Sequence, residues 1–327
     1  MHTEVLVFGA AGYSGIELLK LLSQHPHVRI VAAASDTHAG RALSELTGLA
    51  AHSATTFVKT EAALALAPSA KLAFLAIPAE PAREIAKTLL ARGLRVVDLS
   101  DAHRKDSVYG MTALFSADVA EAPLVANPGC YATAIVTALA PFVRRHLLDP
   151  KLLIVSAASG VTGAGRQKDE SYSVGELAND MRPYKVLRHQ HIAEIEAALG
   201  RVAEEPVRVC LTTHLLPTQR GILATITTRL LEQKTSAQLT DILREDYASD
   251  PFVTVARTPE EVSLRRVVGT NQCAIGVASE PHEGGFCVIT ASVDNLLKGA
   301  AGQAVENMNL MLGYPRALGF SHLSRHS

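Results

Sequence analysis

Short apolar runs alternate with segments of helical spacing through the first hundred residues. Glu4-Val5-Leu6-Val7-Phe8 reads as a strand, and in Ile16-Glu17-Leu18-Leu19-Lys20-Leu21-Leu22 the apolar positions recur at the spacing of a helix face. A second strand follows at Val28 to Ala34 and a helix at about Thr60 to Leu66. Leu72-Ala73-Phe74-Leu75-Ala76-Ile77 is apolar without interruption, as expected of a parallel strand covered on both faces. Pro78 ends it. Glu80 to Arg92, closed by Gly93, predicts the next helix and Arg95 to Leu99 the next strand. Strands alternating with helices predict an α/β unit built on a Rossmann-like, doubly wound, mostly parallel sheet.

The second half has a different rhythm. Leu124-Val125-Ala126 ends as a strand, Asn127-Pro128-Gly129 is turn chemistry, and Tyr131 to Leu139 returns to helical spacing. Lys151 to Ala157, Val207 to Thr213, Gly221 to Arg229 and Gly285 to Val293 read as strands of a second sheet, with Ile192 to Leu199 and Ser236 to Tyr247 as helices. That order suggests an α+β unit. From Asp294 onward the chain runs into a helix rich in small residues, which suits close packing back onto the first domain. The expected domains are therefore 1–130, completed by a C-terminal helix 295–327, and 131–294 as the catalytic and oligomerisation domain.

Composition narrows the function classes. The chain has 327 residues, 48% of them hydrophobic, with 31 basic against 32 acidic side chains. This balance gives no reason to expect nucleic acid or an anionic membrane as a partner, and the length favours two domains. Met1-His2-Thr3-Glu4 lacks a basic leader, and Pro68, Lys71 and Pro78 interrupt the apolar runs, so neither a signal peptide nor a membrane span is expected. Cys130, Cys210, Cys273 and Cys287 are scattered without metal-ligand spacing. Reduced thiols, a cytoplasmic location and no bound metal are the expectation.

The candidate chemistry begins at Gly9-Ala10-Ala11-Gly12-Tyr13-Ser14-Gly15, between a strand and a helix. Glycines allow the backbone to turn tightly and approach a pyrophosphate, whose charge then sits on the helix N-terminus. Gly9, Ala11, Gly12, Tyr13, Ser14 and Gly15 are the expected cofactor contacts, although the pattern is G-x-x-G-x-x-G and a plain glycine turn is the alternative. After the second strand, Asp36 would favour a free ribose hydroxyl, whereas Ser35, Thr37 and Arg41 would hold a 2′-phosphate. Ser35 directly after the strand and Arg41 within loop reach favour NADP(H). Pro78 and Ser100, at the ends of later strands, would line the same crevice.

Four further stretches carry candidate groups. Arg104 lies just beyond a strand end, where a guanidinium can match carboxylate or phosphate oxygens. Ser159 to Arg166 contains Gly160, Gly163 and Gly165 and is an anion-loop candidate, with a surface connection as the alternative. His189 and His191 precede a helix; without a third ligand they read better as acid/base groups than as a metal site. Cys130 follows the Asn-Pro-Gly turn at the mouth of a helix, where amide donors and the helix dipole favour thiolate over thiol. Taken alone, it reads rather as a quiet core thiol, the commoner state of a lone cysteine.

The order of these motifs resembles that of the N-acetyl-γ-glutamyl-phosphate reductases, arginine-biosynthesis relatives of the aspartate-semialdehyde dehydrogenases. The resemblance runs from Val5 to Gly313. It rests on the Gly9 to Gly15 loop with Glu17-Leu18-Leu19, Asp98-Leu99-Ser100 with Arg104, Asn127-Pro128-Gly129-Cys130-Tyr131, and Ser159 to Arg166. His189-Gln190-His191 with Glu194-Ile195, His214-Leu215-Leu216-Pro217 with Arg220-Gly221-Ile222, and Asp294 to Asn309 complete it.

The resemblance implies an NADPH-dependent reductase acting on a small acyl phosphate, with Cys130 as nucleophile and a thioester intermediate. It implies His191, then His189, as the proton carrier and Arg104 and Arg166 as substrate ligands. Gly163 and Asn295 would lie near the cofactor, and the assembly would be a homo-oligomer, a tetramer or dimer. Three departures bear on acyl-chain specificity. The segment between Arg104 and Asn127 is short, Ala132 replaces a usual proline, and Ala79-Glu80 follows Pro78 where a histidine is common. The aminoadipyl-phosphate reductases of lysine biosynthesis share the chemistry and are one alternative; a non-catalytic NADP-binding sensor is another.

Overall fold

A computed structural model describes residues 2–164, 178, 180–280, 282 and 284–321 of the chain. It divides into two compact units, Met1–Gly129 with Ala300–Ser327, and Cys130–Gly299. In the first unit the strands are β1 (Thr3–Phe8), β2 (Val28–Ala34), β3 (Leu72–Leu75), β4 (Arg95–Asp98), β5 (Val108–Tyr109) and β6 (Leu124–Ala126). Helices α1 (Tyr13–Ser23), α2 (Ser44–Thr47), α3 (Thr60–Ala65), α4 (Ala79–Ala91) and α5 (Thr112–Glu121) connect them.

The strand order is β2-β1-β3-β4-β6-β5, and every pairing is parallel. All four residues of β3 are buried, which is what its uninterrupted apolar sequence requires of a sheet covered on both faces. In α4 the buried Ala82, Ala86 and Leu89 form one stripe, with the half-buried Ile85 and Leu90 packed beside it, and Glu80, Arg83, Glu84 and Lys87 face water. The sheet order reverses between β1 and β3, so the connections leaving their carboxyl ends diverge and open a crevice there.

The second unit begins with α6 (Cys130–Val143) and continues through β7 (Leu153–Gly160), β8 (Arg182–Tyr184), α7 (His191–Ala203), β9 (Val209–Leu216) and β10 (Ile222–Arg229). Helix α8 (Ser236–Asp246), β11 (Val253–Val255), α9 (Leu264–Val267), β12 (Cys273–Ser279) and β13 (Phe286–Val293) follow. Its seven strands form a mixed sheet in the order β11-β12-β13-β10-β7-β9-β8. Every residue of α6 from Tyr131 to Val143 is buried, because the helix lies on the sheet strands β10, β12 and β13 and is flanked by α7 and α8. A helix apolar all round can only be a central one.

Three strands of this sheet were not expected from the pattern. In β12, Cys-Ala-Ile-Gly-Val-Ala-Ser is mostly buried along its length, so it lacks the alternation that marks a half-exposed strand. The other two, β8 and β11, are three residues each, and Pro183 in β8 argues locally against a strand.

The chain rejoins the first unit through a π turn, Leu297–Ala301, and α10 (Gly302–Met311), so the helix starts well after Asp294. Gln303, Glu306, Asn307 and Asn309 of α10 are fully buried. They are tolerated because partners meet them: Thr112 Oγ1 donates to Glu306 Oε2 at 2.6 Å, and Gln303 Nε2 donates to the Gly110 carbonyl at 3.0 Å. The Arg316 guanidinium stands 3.3 Å from the same Glu306 oxygen.

Candidate active site

In the first unit, β1 runs into α1 through the glycine loop. Gly9 has φ of +74°, and a side chain on it would overlap the Ala76 carbonyl; one on Gly15 would overlap the Gly9 carbonyl. Only glycine lets the strand, loop and helix approach this closely. Gly12 is the N-cap of α1, and its amide returns to the Gly9 carbonyl at 3.0 Å. Having no side chain, Gly12 cannot close the helix start itself. The resulting cradle, between Ala11, Tyr13 and Ser14, fits the pyrophosphate of a dinucleotide.

The neighbouring strand ends are less alike. Ser35 follows β2, and its hydroxyl lies 3.3 Å from His38 Nδ1. Asp36 is turned away to α3, accepting from the Thr60 amide at 2.8 Å and the Thr60 hydroxyl at 3.0 Å. Its carboxylate is thus engaged in holding a helix start. Arg41 is engaged too: Nε and Nη2 donate to Glu45 Oε2 at 2.9 and 2.6 Å. Pro78 is the N-cap of α4. Ser100 donates through Oγ to Asp98 Oδ2 at 2.9 Å and through its amide to Asp98 Oδ1 at 2.9 Å, and His103 Nδ1 is 2.7 Å from Asp98 Oδ2. Ser100 is therefore part of a knot around a fully buried carboxylate.

That knot leads to the Asn-Pro-Gly turn. The Asn127 amide donates to the Asp98 carbonyl at 2.7 Å, and Arg104 Nε donates to the Asn127 carbonyl at 3.2 Å. Asn127 Nδ2 donates to the Ala300 carbonyl at 3.1 Å, while its Oδ1 accepts from Asn307 Nδ2 at 2.9 Å. Arg104, expected as a substrate ligand, thus also grips the backbone that precedes the cysteine. The unit boundary falls directly after Gly129.

In the second unit, Cys130 is the first residue of the fourteen-residue α6, a half-buried cysteine outside any disulfide at the positive end of the helix dipole. Tyr131 beside it is buried, and its hydroxyl is 2.9 Å from that of Tyr184 on β8. Burial and the neighbouring Tyr184 push the Tyr131 phenol far above its usual range, so it remains a neutral hydroxyl. The Tyr131 ring meets His189 and His191 edge-on, at centroid distances of 5.2 and 6.0 Å.

On one continuous helix, side chains two residues apart would diverge. Instead the rings of the two histidines stand 4.6 Å apart, because only His191 is in α7 and His189 lies in the preceding turn. His189 Nδ1 accepts the His191 amide at 3.2 Å, so the proton of the neutral ring is on Nε2. Burial, and then the charge of His191, lower the His189 pKa to about 3. Near neutral pH it is therefore an uncharged imidazole. His191 Nε2 faces the buried Glu194 carboxylate at 3.9 Å, one helical turn further on. The His-x-x-Glu spacing is a signal that the acid/base reading of the pair passed over.

Asn295 and Gly163 are neighbours in this unit. Asn295 Oδ1 accepts the Gly221 amide at 2.7 Å, and its Nδ2 donates to Thr162 Oγ1 at 3.0 Å, one residue before Gly163. The buried Asn295 therefore ties the turn after β7 to the start of β10. Arg166 lies outside the described residues. Asp294 and Arg220, which had no assigned role, form an ion pair at 3.1 Å. Among the described residues no group of three metal-ligating side chains converges, and no helix is long and apolar enough to cross a membrane.

The chain matches two family models, "Semialdehyde dehydrogenase, NAD binding domain" over residues 4–127 and "Semialdehyde dehydrogenase, dimerisation domain" over residues 130–295. It is 37% identical to the N-acetyl-gamma-glutamyl-phosphate reductase of Geobacter metallireducens, with 98% of each chain covered. It is 33% identical to the reductase of the same name from Bacillus cereus, covering 98% of this chain and 99% of that one. Aspartate semialdehyde dehydrogenase II of Vibrio cholerae, solved with ASA, has a similar fold, with a TM-score of 0.78 at 17% identity over 96% of this chain and 99% of the other. The enzyme of Candida albicans solved with NADP gives a TM-score of 0.75 at 16% identity over 95% and 98%. At that identity over nearly the whole of both chains, and with both family models matched, the chain belongs to the N-acetyl-γ-glutamyl-phosphate reductases of the semialdehyde dehydrogenase family.

Proposed function

We propose that the protein reduces N-acetylglutamyl 5-phosphate to N-acetylglutamate 5-semialdehyde and inorganic phosphate, with NADPH as reductant, in arginine biosynthesis. The observation that carries the reading is Cys130 at the head of a buried helix, with the His189–His191 pair packed against the next residue, Tyr131.

The Cys130 thiolate attacks the acyl carbon, phosphate leaves with the bond electrons, and the acyl group remains on sulfur as a thioester. The opening of α6 stabilises the oxyanion formed during attack. NADPH, when bound, supplies the hydride that brings the thioester carbon to the aldehyde level. His191 protonates that oxygen and takes the proton back as the carbon–sulfur bond breaks and the thiolate returns. His189, neutral and hydrogen-bonded to the His191 amide, orients it. The Gly9–Gly15 cradle receives the pyrophosphate, Ser35 and Arg41 face the ribose phosphate, and Pro78 and Ser100 line the crevice. Gly163 and Asn295 shape the substrate side of the cofactor, and Arg104 and Arg166 bind the substrate anions. The domain roles follow: the first unit, with the C-terminal helix, for nucleotide, and the second, which opens on Cys130, for acyl transfer.

A homo-oligomer, dimer or tetramer, accords with the dimerisation-domain match and with exposed Ile154 and Phe286 on the outer face of the seven-stranded sheet. Four cysteines with no disulfide among them accord with the cytoplasm.

The test is Cys130→Ser, assayed in reverse as NADPH formation from N-acetylglutamate semialdehyde and phosphate, with the aminoadipate homologue alongside. Turnover is expected to fall by at least ~10³-fold while nucleotide binding persists, since only the nucleophile is lost. Activity equal to the parent would refute the mechanism, and a preference for the aminoadipate homologue would reassign the substrate.

A further inference from the structure

Gly299 sits in the π turn between β13 and α10, against the head of α6. A Cβ placed on it would stand 2.7 Å from Cys130 Cβ, 3.2 Å from Cys130 Cα and 3.2 Å from the Asp294 carbonyl. Carbon atoms that are not bonded do not approach to 2.7 Å, so any side chain here displaces the cysteine, the turn or both.

The turn has little freedom to yield. Asp294, fully buried, accepts the Leu296 and Leu297 amides through Oδ1 at 2.9 and 3.1 Å and the Gly269 amide through Oδ2 at 2.8 Å. Arg220 Nη2 donates to the same Oδ1 at 3.1 Å. The Asp294 backbone carbonyl accepts the Gly299 amide at 2.9 Å. One residue thus fixes the turn through its carboxylate and through its carbonyl. On the other side, α6 is buried from Tyr131 onward and cannot withdraw from the contact without leaving the sheet. Widened turns of this kind cluster at functional sites, where they re-aim one residue.

We propose that Gly299 is a positioning residue for Cys130: the Asp294-braced turn presses its bare Cα against the cysteine and sets where the thiol stands. The inference rests on the reading of Cys130 as the acyl carrier. The contact is specific to the first residue of α6, the one residue whose placement the acyl transfer depends on.

The test compares Gly299→Ala, Cys130→Gly, their combination, and Gly276→Ala as a control. The added methyl of the control meets the Thr258 carbonyl at 2.8 Å and the Pro259 Cα at 2.9 Å, a similar overlap with other partners. Alkylation of Cys130 by iodoacetamide, followed by peptide mass mapping, reports thiol placement without any substrate. Gly299→Ala is expected to change that rate, and to lower kcat, by ~10-fold with KM within ~2-fold, because a displaced nucleophile loses alignment more than binding. Gly276→Ala is expected to lower the melting temperature and leave both readouts near the parent. In the double variant the Cβ that the new methyl strikes is gone, so at least ~half of the melting-temperature loss of Gly299→Ala should return, as coupled neighbours require.

That comparison holds even if Gly299→Ala alone folds too poorly to assay. Parental alkylation and kcat in a folded Gly299→Ala protein, or purely additive melting-temperature losses, would overturn the proposal. A parent that alkylates at Cys130 but reduces no acyl phosphate would refute the reaction while leaving the seat intact.

Discussion

His189 makes the stability of the second unit depend on pH in a calculable way. Its pKa falls from an ordinary 6.5 to about 3 because the folded chain buries the ring beside His191. Below pH 6.5 the unfolded chain takes up a proton that the folded chain refuses, so acid favours unfolding and stability rises with pH through this window. Between pH 7 and pH 4.5 the loss from this one group is about 2.5 kcal/mol, from ~1.4 kcal/mol per pH unit below the unfolded pKa. His189→Asn removes the titration while its side-chain oxygen can still accept the His191 amide. The variant starts lower at pH 7 by about 1–3 kcal/mol for the lost ring packing, but its stability falls less steeply. Urea unfolding followed by circular dichroism, at half-unit steps from pH 7 to 4.5, gives both curves. The gap between parent and variant should close by about 2.5 kcal/mol as the carboxylate contribution, common to both, cancels. Parallel curves would refute the reading of a neutral buried imidazole.

Two predictions concern the first unit. Asn307→Ala leaves Asn127 Oδ1 buried without its donor and should cost about 1–3 kcal/mol, read by denaturant unfolding; Asn307→Asp should cost at least as much, by opposing oxygen to oxygen. An unchanged midpoint in both would show that the amide pair does not hold the turn. Glu45→Gln weakens the hold of Oε2 on two Arg41 donors, freeing the guanidinium for a 2′-phosphate. The ratio of NADH to NADPH dissociation constants should rise ~3-fold or more by fluorescence titration, and a ratio unchanged or lower would remove Arg41 from the ribose site.

The histidine pair shows where local reasoning stops. On a continuous helix, side chains two apart diverge, and a sequence that places both residues just before a helix does not say how their rings meet. The helix starts at His191, the turn brings His189 back, and the rings meet at 4.6 Å. Arg41 and Asp36 teach the same lesson. Each has the right chemistry for a ribose contact, yet Glu45 and Thr60 engage them in ways that no motif announces. Strand β12 is a milder case, since burial of five consecutive residues, Cys273 to Val277, erased the alternation that would have marked it.

The sequence by itself determined the class of each unit, because hydrophobic periodicity and turn residues act over a few neighbours. It determined the glycine cradle too: Gly9 and Gly15 are needed where a strand, a loop and a helix close on one another within seven residues. The cysteine at a helix mouth is also local, a matter of Asn-Pro-Gly followed by helical spacing. What the tertiary structure alone decided is how these groups are held. Asn127 is clamped by Asp98, Arg104, Ala300 and Asn307, and Cys130 meets Gly299 well over a hundred residues away in the chain. Such contacts depend on where entire elements pack, and packing sums many weak interactions that leave no spacing in the sequence to read.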